Sequence, residues 1–205
     1  MPSAATNPAR TPAAYGAVLS PGRSFSHTEL QAMSLDGVLE PVFGDAYVLS
    51  GTDIGPELRG QALALLTPAH LTGRGVACRL SAAWVYGCSR PPFAVSLLVD
   101  KGHRAGALPA GTGCILHEAK LSRFDVATIG TMPVTTPLRT AVDLALQVQT
   151  DDALQALRAM AADPLLNCPL GLVRQALEAR GRVPHKHTAL ERIRLLLRFG
   201  DRDGG

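Results

Sequence analysis

Residues 130–145, GTMPVTTPLRTAVDLA, divide this chain into two kinds of sequence. Pro137 suits the first turn of a helix, where its missing N–H leaves no bond unmade. It is excluded from a helix interior or a central strand. Ahead of it lie short runs broken by glycine and proline; behind it the apolar residues keep helical spacing. Helices are expected over 137–148, 151–162, 169–180 and 187–199, with breaks at Gln149-Thr150, at Asp163-Pro164 and from Gly181 to Pro184. Whatever the first half does, the fold must close in a helical run.

Within the stretch, Thr136 is placed to cap the helix and Thr135 to lead in as extended chain. Leu138, Val142 (or Ala141) and Ala145 form one apolar stripe, while Arg139 and Asp143 stand at i and i+4 and share a face. On an exposed helix such a pair contributes about 0.3–0.5 kcal/mol. If the pair is buried, removing one partner costs about 3–5 kcal/mol. Chemistry has little to work with here. A hydroxyl nucleophile needs a base, and no histidine or lysine lies in this helix. A carboxylate already paired with arginine is held ionised and makes a poor acid. The stretch reads as a brace, with no catalytic residue assigned.

Upstream, the first organised segment is FSHTELQAMSLDGVLEPVFGDAYVLSG (25–51). Ser26 with Glu29 makes a capping box, and EPVF and AYVL, joined by Gly44-Asp45, make a tight hairpin. A helix followed by a two-stranded wing is a reduced winged-helix arrangement. PELRGQALALLTPAHL (56–71) is helical with Pro56 at its start, and RLSAAWVYGC (79–88) is a shorter helix capped by Ser81 and stopped by Gly87. FAVSLLVD (93–100) and CILHEAKL (114–121) read as strands, with DVATIG and MPVT adding β structure around Gly130. The fold class is α+β: a small winged-helix-like segment, then a mixed domain with a small β-sheet and a C-terminal helical run. The expected domains are a flexible tail (1–22), the winged-helix-like segment (23–55) and a larger domain (56–200).

Nearly half of the 205 residues are apolar, enough for a sizeable core. No apolar run approaches the roughly 18 residues a membrane helix needs, so no membrane partner is expected. The N-terminus lacks a basic region followed by an apolar stretch and is no secretory signal. Cys78, Cys88, Cys114 and Cys168 form no C-x-x-C pair and sit among apolar neighbours. They read as buried reduced thiols, which suits a cytoplasmic protein. No metal or cofactor is expected. The net charge of +3 is uneven. Residues 1–60 carry three arginines against six acids, whereas 174–202 carry eight basic residues against three acids. A basic end can meet nucleic acid, and a solvated helix face gives the same count.

Asp100 ends one strand, and Glu118 with Lys120 ends the next, the order in which PD-(D/E)xK nucleases hold Mg²⁺ and orient water. Surface charges at two strand ends give the same spelling. His103 and His117 lack a third metal ligand. Trp84 and Tyr86 could stack a base, but beside Val85 on an apolar helix they read as core.

The combination LSAAWVYG (80–87), a strand, ILHE (115–118) and GTMPVTTPLRTAVDLA resembles the AbiEi family of antitoxins from type IV toxin–antitoxin systems. The resemblance covers about residues 25–180, and Ser81, Ala82, Ala83, Gly87, Thr136, Pro137, Arg139, Thr140 and Asp143 are its signature positions. It implies a non-enzymatic protein with an N-terminal winged helix that binds promoter DNA and a larger antitoxin domain. The implied functional partner is a nucleotidyltransferase-like toxin, without necessarily stable contact. A winged helix, however, normally has two helices before a basic wing. Here the segment is acidic, and phosphate contacts need cations. Either the DNA-binding module has decayed into an interaction module, or basic residues elsewhere serve: Arg23, His27 and Arg59, or Arg192, Arg194 and Arg198. In ALERIRLLLRF, Arg194 and Arg198 are expected to face outward while Leu190, Ile193 and Leu197 face in.

Overall fold

The computed structural model of the protein describes residues 18–22, 24–102, 108, 112–148 and 151–200. The expected tail up to residue 17, together with Arg23 and His103, lies outside the described residues. The architecture is α+β, with seven α-helices and two small sheets among the described residues. None of these helices is long and apolar enough to cross a membrane. The chain separates into two compact units, Met1–Asp53 and Ile54–Gly205.

The first unit starts with helix α1 (His27–Leu35). Its capping box is formed: Glu29 N donates to Ser26 Oγ at 3.2 Å, and Ser26 N donates to the Glu29 carboxylate at 2.7 Å. Strands β1 (Leu39–Phe43) and β2 (Ala46–Leu49) pair antiparallel through the Gly44-Asp45 turn. Gly44 there has a φ of 54°, a left-handed value that favours glycine. Leu30, Leu39 and Tyr47 are buried together, with Leu19, Phe25 and Met33 packed on them. Leu19, part of the expected tail, exchanges two backbone hydrogen bonds with Tyr47. One helix, rather than two, stands ahead of the hairpin among the described residues.

The second unit opens with α2 (Pro56–Leu66), with Pro56 in the first turn as its sequence position predicts. A five-stranded sheet follows, built from β3 (Val76–Ala77), β4 (Val95–Asp100), β5 (Cys114–Ala119), β6 (Val126–Ile129) and β7 (Met132–Thr135), in the order β5-β4-β3-β7-β6. The β4–β5 and β3–β7 pairs are parallel and the others antiparallel. Strand β3 has only two residues and leaves no alternation to read in the sequence. Between β3 and β4 lies α3 (Arg79–Val85). Ser81 does not cap it: the cap position falls on Cys78, and Arg79 takes a φ of 54° to turn the chain directly from strand into helix. Ser81 is buried inside the helix, where its Oγ accepts a hydrogen bond from Ser96 N of β4 at 2.9 Å.

The helical run consists of α4 (Pro137–Gln147), α5 (Asp151–Ala162), α6 (Leu170–Ala179) and α7 (Lys186–Gly200). Helix α4 is its axis. Every residue from Arg139 to Leu146 is buried, because α3, α5, α6 and α7 all pack against α4. One core joins Val142, Leu144 and Leu146 of α4 to Leu157 and Met160 of α5, Val173 and Leu177 of α6, and Ile193 of α7. The single apolar stripe expected of α4 is therefore a helix buried on all sides, with Arg139, Thr140 and Asp143 inside.

A glycine pair joins α2 to the turn of β6 and β7. A Cβ on Gly60 would lie 2.2 Å from the Ile129 carbonyl oxygen, and one on Gly130 would lie 2.5 Å from the Glu57 carbonyl oxygen. The two backbones meet at a distance only glycine permits. The Glu57 carboxylate accepts a short hydrogen bond from Gly130 N and fixes the turn.

Candidate functional site

Five of the signature positions, Thr136, Pro137, Arg139, Thr140 and Asp143, lie where β7 runs into α4. Thr136 occupies the cap position, but its side chain does not cap α4. Instead Thr136 Oγ1 donates to the Phe124 carbonyl at 3.3 Å, and its N–H donates to the Asp125 carbonyl at 2.9 Å. The approach of the loop before β6 draws this hydroxyl away from the helix. The opening of α4 is secured one residue to either side. Thr140 Oγ1 lies 2.7 Å from Thr135 Oγ1 and 2.9 Å from the Thr135 carbonyl oxygen. Tyr86 reaches the same carbonyl from the end of α3, its hydroxyl donating at 2.8 Å. Thr135 and Thr140 are fully buried, so these bonds satisfy groups that have no water.

Arg139 and Asp143 pair as their spacing predicts, in the buried setting rather than the exposed one: 8% and 7% of their surfaces remain accessible. Arg139 Nε donates to Asp143 Oδ2 at 2.8 Å, Nη1 stands 3.3 Å from Asp125 Oδ2, and Nη1 also donates to the Lys120 carbonyl at 3.4 Å. Asp125 in turn accepts from the N–H and hydroxyl of Ser122, both at 2.8 Å. Sequence reading missed Asp125 because nothing local links it to a residue 14 positions ahead. Burial acts against every charge here. It pushes the Asp143 carboxyl up, against the pull of Arg139, Arg180 and Arg79. At Asp125 burial is outweighed, and the Ser122 hydrogen bonds and Arg139 hold the carboxyl down. At Arg139 it is outweighed by the two aspartates, which hold the guanidinium protonated.

Around this brace the cysteines are buried or half-buried and free. Burial pushes the Cys78 thiol up to about 12 and those of Cys88 and Cys168 to about 11, well away from nucleophilic character. His117 on β5 is held neutral, its pKa lowered to about 4 by burial and by Arg79, and its Nε2 is enclosed without a hydrogen-bond partner. Trp84 is core, and Ala82 and Ala83 are fully buried beside it. Gly87 holds a φ of 80° after the end of α3.

The DNA-contact candidates are scattered. His27 faces Asp45 across the first unit, Nε2 to Oδ1 at 3.0 Å. Arg59 lies over the Trp84 ring, 5.7 Å from its centroid, and Nη1 donates to the Trp84 carbonyl at 2.9 Å. Arg192 Nη1 donates to the last carbonyls of α4, Val148 at 3.0 Å and Ala145 at 3.4 Å. Arg194 and Arg198 face outward while Ile193 is fully buried, with Leu190 and Leu197 packed against the core. Arg194 pairs with Glu191, and Arg198 has no ion-pair partner among the described residues.

The nuclease pattern meets a geometric obstacle. In the parallel β4–β5 register Asp100 lies opposite Ala119, and Val99 opposite Glu118. Paired residues share a face and each step along a strand reverses it, so Asp100 and Glu118 occupy opposite faces of the sheet. Two such carboxylates do not reach one Mg²⁺ ion. Among the described residues no group of three or more His, Cys, Asp or Glu is placed to hold a metal.

The geometry thus defines an α+β domain built around a central helix, at whose head Thr135 bonds to Thr140 and Arg139 to Asp143. The model of the AbiEi antitoxin C-terminal domain matches residues 75–199, from the residue before β3 almost to the end of α7. That is more than half of the chain, and the protein belongs to the AbiEi antitoxin family. No curated protein matches it.

Proposed function

We propose that the protein is the antitoxin of a type IV toxin–antitoxin system, that it counteracts a nucleotidyltransferase-like toxin, and that it represses its own promoter. The observation that carries the reading is the family match over 75–199. Of the positions that mark the family in the sequence, Thr140 ties α4 to β7, Arg139 and Asp143 pair within α4, and Ser81 ties α3 to β4. The signature preserves a shape, and an antitoxin that acts without catalysis needs a shape rather than reactive groups. Co-expression tests it: induction of the toxin read from the neighbouring reading frame should arrest growth, and this chain should restore it. Continued arrest with folded antitoxin present sinks the proposal.

For promoter binding, the helix and hairpin of the first unit are the natural reader, yet their exposed charges include Asp36, Asp45 and Asp53. Phosphate contact then falls to cations outside the hairpin; of the candidates Arg59, Arg192, Arg194 and Arg198, Arg198 is the one that no partner holds among the described residues. A salt-sensitive mobility shift on the upstream DNA supports repression. A second reading is an interaction module that has lost DNA binding. The observation favouring it is that His27, Arg59, Arg192 and Arg194 are all held by partners within the chain. No shift at low salt selects this second reading.

A further inference from the structure

Between the end of α6 and the start of α7 lies an open pocket of about 830 Å³, lined by Arg180, Arg182, Val183, Pro184, Lys186, His187 and Leu190 among others. We infer that this pocket is a docking site for an acidic protein segment that carries an aliphatic anchor residue.

Three features of the pocket lead there. Its walls are fixed without a ligand. Pro184 blocks continuation of a helix, and His185 takes a left-handed φ of 60° to start α7. The Lys186 ammonium folds back across the gap and donates to the carbonyls of Glu178 and Arg180, tying the two lips together. A site held open in this way loses little freedom on binding. Its floor is aliphatic, made by Val183, Pro184 and Leu190, and Val183 and Leu190 pack against the main core. Its rim is basic. Arg180, Arg182 and Lys186 carry fixed positive charge, and among the described residues no carboxylate lines the pocket and exposed Arg182 has no ion-pair partner.

A cationic rim over an aliphatic floor matches an acidic segment with a leucine-like side chain. It matches nucleic acid less well. Duplex DNA has no aliphatic group to fill the floor, and a phosphate track leaving the pocket along either helix meets Glu178 of α6 or Glu191 of α7. The inference stands on the lining of the pocket alone and goes beyond the antitoxin reading.

Fluorescence anisotropy on the full chain tests it, with a fluorescein-labelled helical peptide of glutamate and alanine that carries leucines at i and i+4. The peptide should bind near physiological salt. Arg182→Glu should weaken it by about fivefold or more, since each rim charge is worth up to about that factor and reversal removes an attraction and adds a repulsion. Arg194→Glu, on α7 and outside the lining of the pocket, should leave the affinity unchanged. Replacing the leucines of the peptide by serine should abolish binding. Because Arg182 is exposed, its variant should keep the thermal midpoint of the parent, which separates a lost site from a lost fold. The proposal is overturned by no binding, by equal losses from Arg182→Glu and Arg194→Glu, by undiminished binding of the serine peptide, or by random duplex DNA displacing the peptide at lower concentration. The last outcome makes the pocket a nucleic-acid site.

Discussion

Arg139 holds three acceptors from three parts of the chain: Asp143 on its own helix, Asp125 from the loop before β6, and the Lys120 carbonyl. Its removal leaves two carboxylates without their counter-charge, one of them buried. Arg139→Ala should therefore cost more than Asp143→Ala, with each in the range of about 3–5 kcal/mol and Asp125→Asn well below both. Urea denaturation orders the three. A flat series, with antitoxin activity lost, makes this helix a functional surface instead of a brace. His117 supplies a second residue-scale prediction. Its pKa is near 4 in the folded protein and near 6.5 when the chain is unfolded, so the unfolded state takes up the proton first as pH falls. Stability is then full above about pH 6.5 and declines toward pH 4. Because the ring is only partly buried, the loss is limited to about 1–2 kcal/mol. His117→Leu should flatten that interval relative to the parent in unfolding midpoints measured at pH 7 and pH 4.5. Protonation of Asp125 acts at lower pH, below its ordinary carboxylate range.

Among elements, α2 and the β6–β7 turn form a close junction, where Gly60 and Gly130 let backbone meet backbone. Gly60→Ala drives its methyl into the Ile129 carbonyl, and Gly130→Ala adds the strain of a φ of 60°. Each should destabilise by about 1–3 kcal/mol, and the double variant by less than their sum because both act at one contact. Thermal melts of the three variants test this; full additivity means that the glycines do not share a junction. The same junction explains why GTMPVTTPLRTAVDLA opens on glycine. The leading residue serves a helix some 70 positions earlier, and Thr135, Thr140 and Arg139 serve the helix that follows. Capping residues show the limits of local reading. Ser26 caps α1 as its spacing predicts, since nothing else competes for it, whereas Thr136 and Ser81 are claimed by a neighbouring loop and strand.

For the molecule as a whole, the division at Asp53 and Ile54 separates a small core around Leu30 and Tyr47 from the large one around α4. A chain beginning at Ile54 should unfold cooperatively and keep toxin rescue, while any mobility shift that depends on the hairpin should vanish. Loss of rescue in that folded fragment assigns antitoxin activity to the first unit. Much of this architecture was legible beforehand. The four closing helices, the capping box, the Gly44-Asp45 hairpin and strands β4 to β7 all follow from residue spacing and turn chemistry, which act over a few neighbours and are written in order along the chain. The sequence by itself also marked the family and paired Arg139 with Asp143, because one helical turn brings i and i+4 together in any surroundings. Whether that pair lay in water or in the core was a different matter. Tertiary structure alone decided it by surrounding α4 with four helices and carrying Asp125 to the guanidinium. It likewise set β3 beside β7, placed Asp100 and Glu118 on opposite faces, and gathered Arg180, Arg182 and Lys186 around one pocket. Burial, register and convergence are properties of segments that meet across the chain, and no local pattern encodes them.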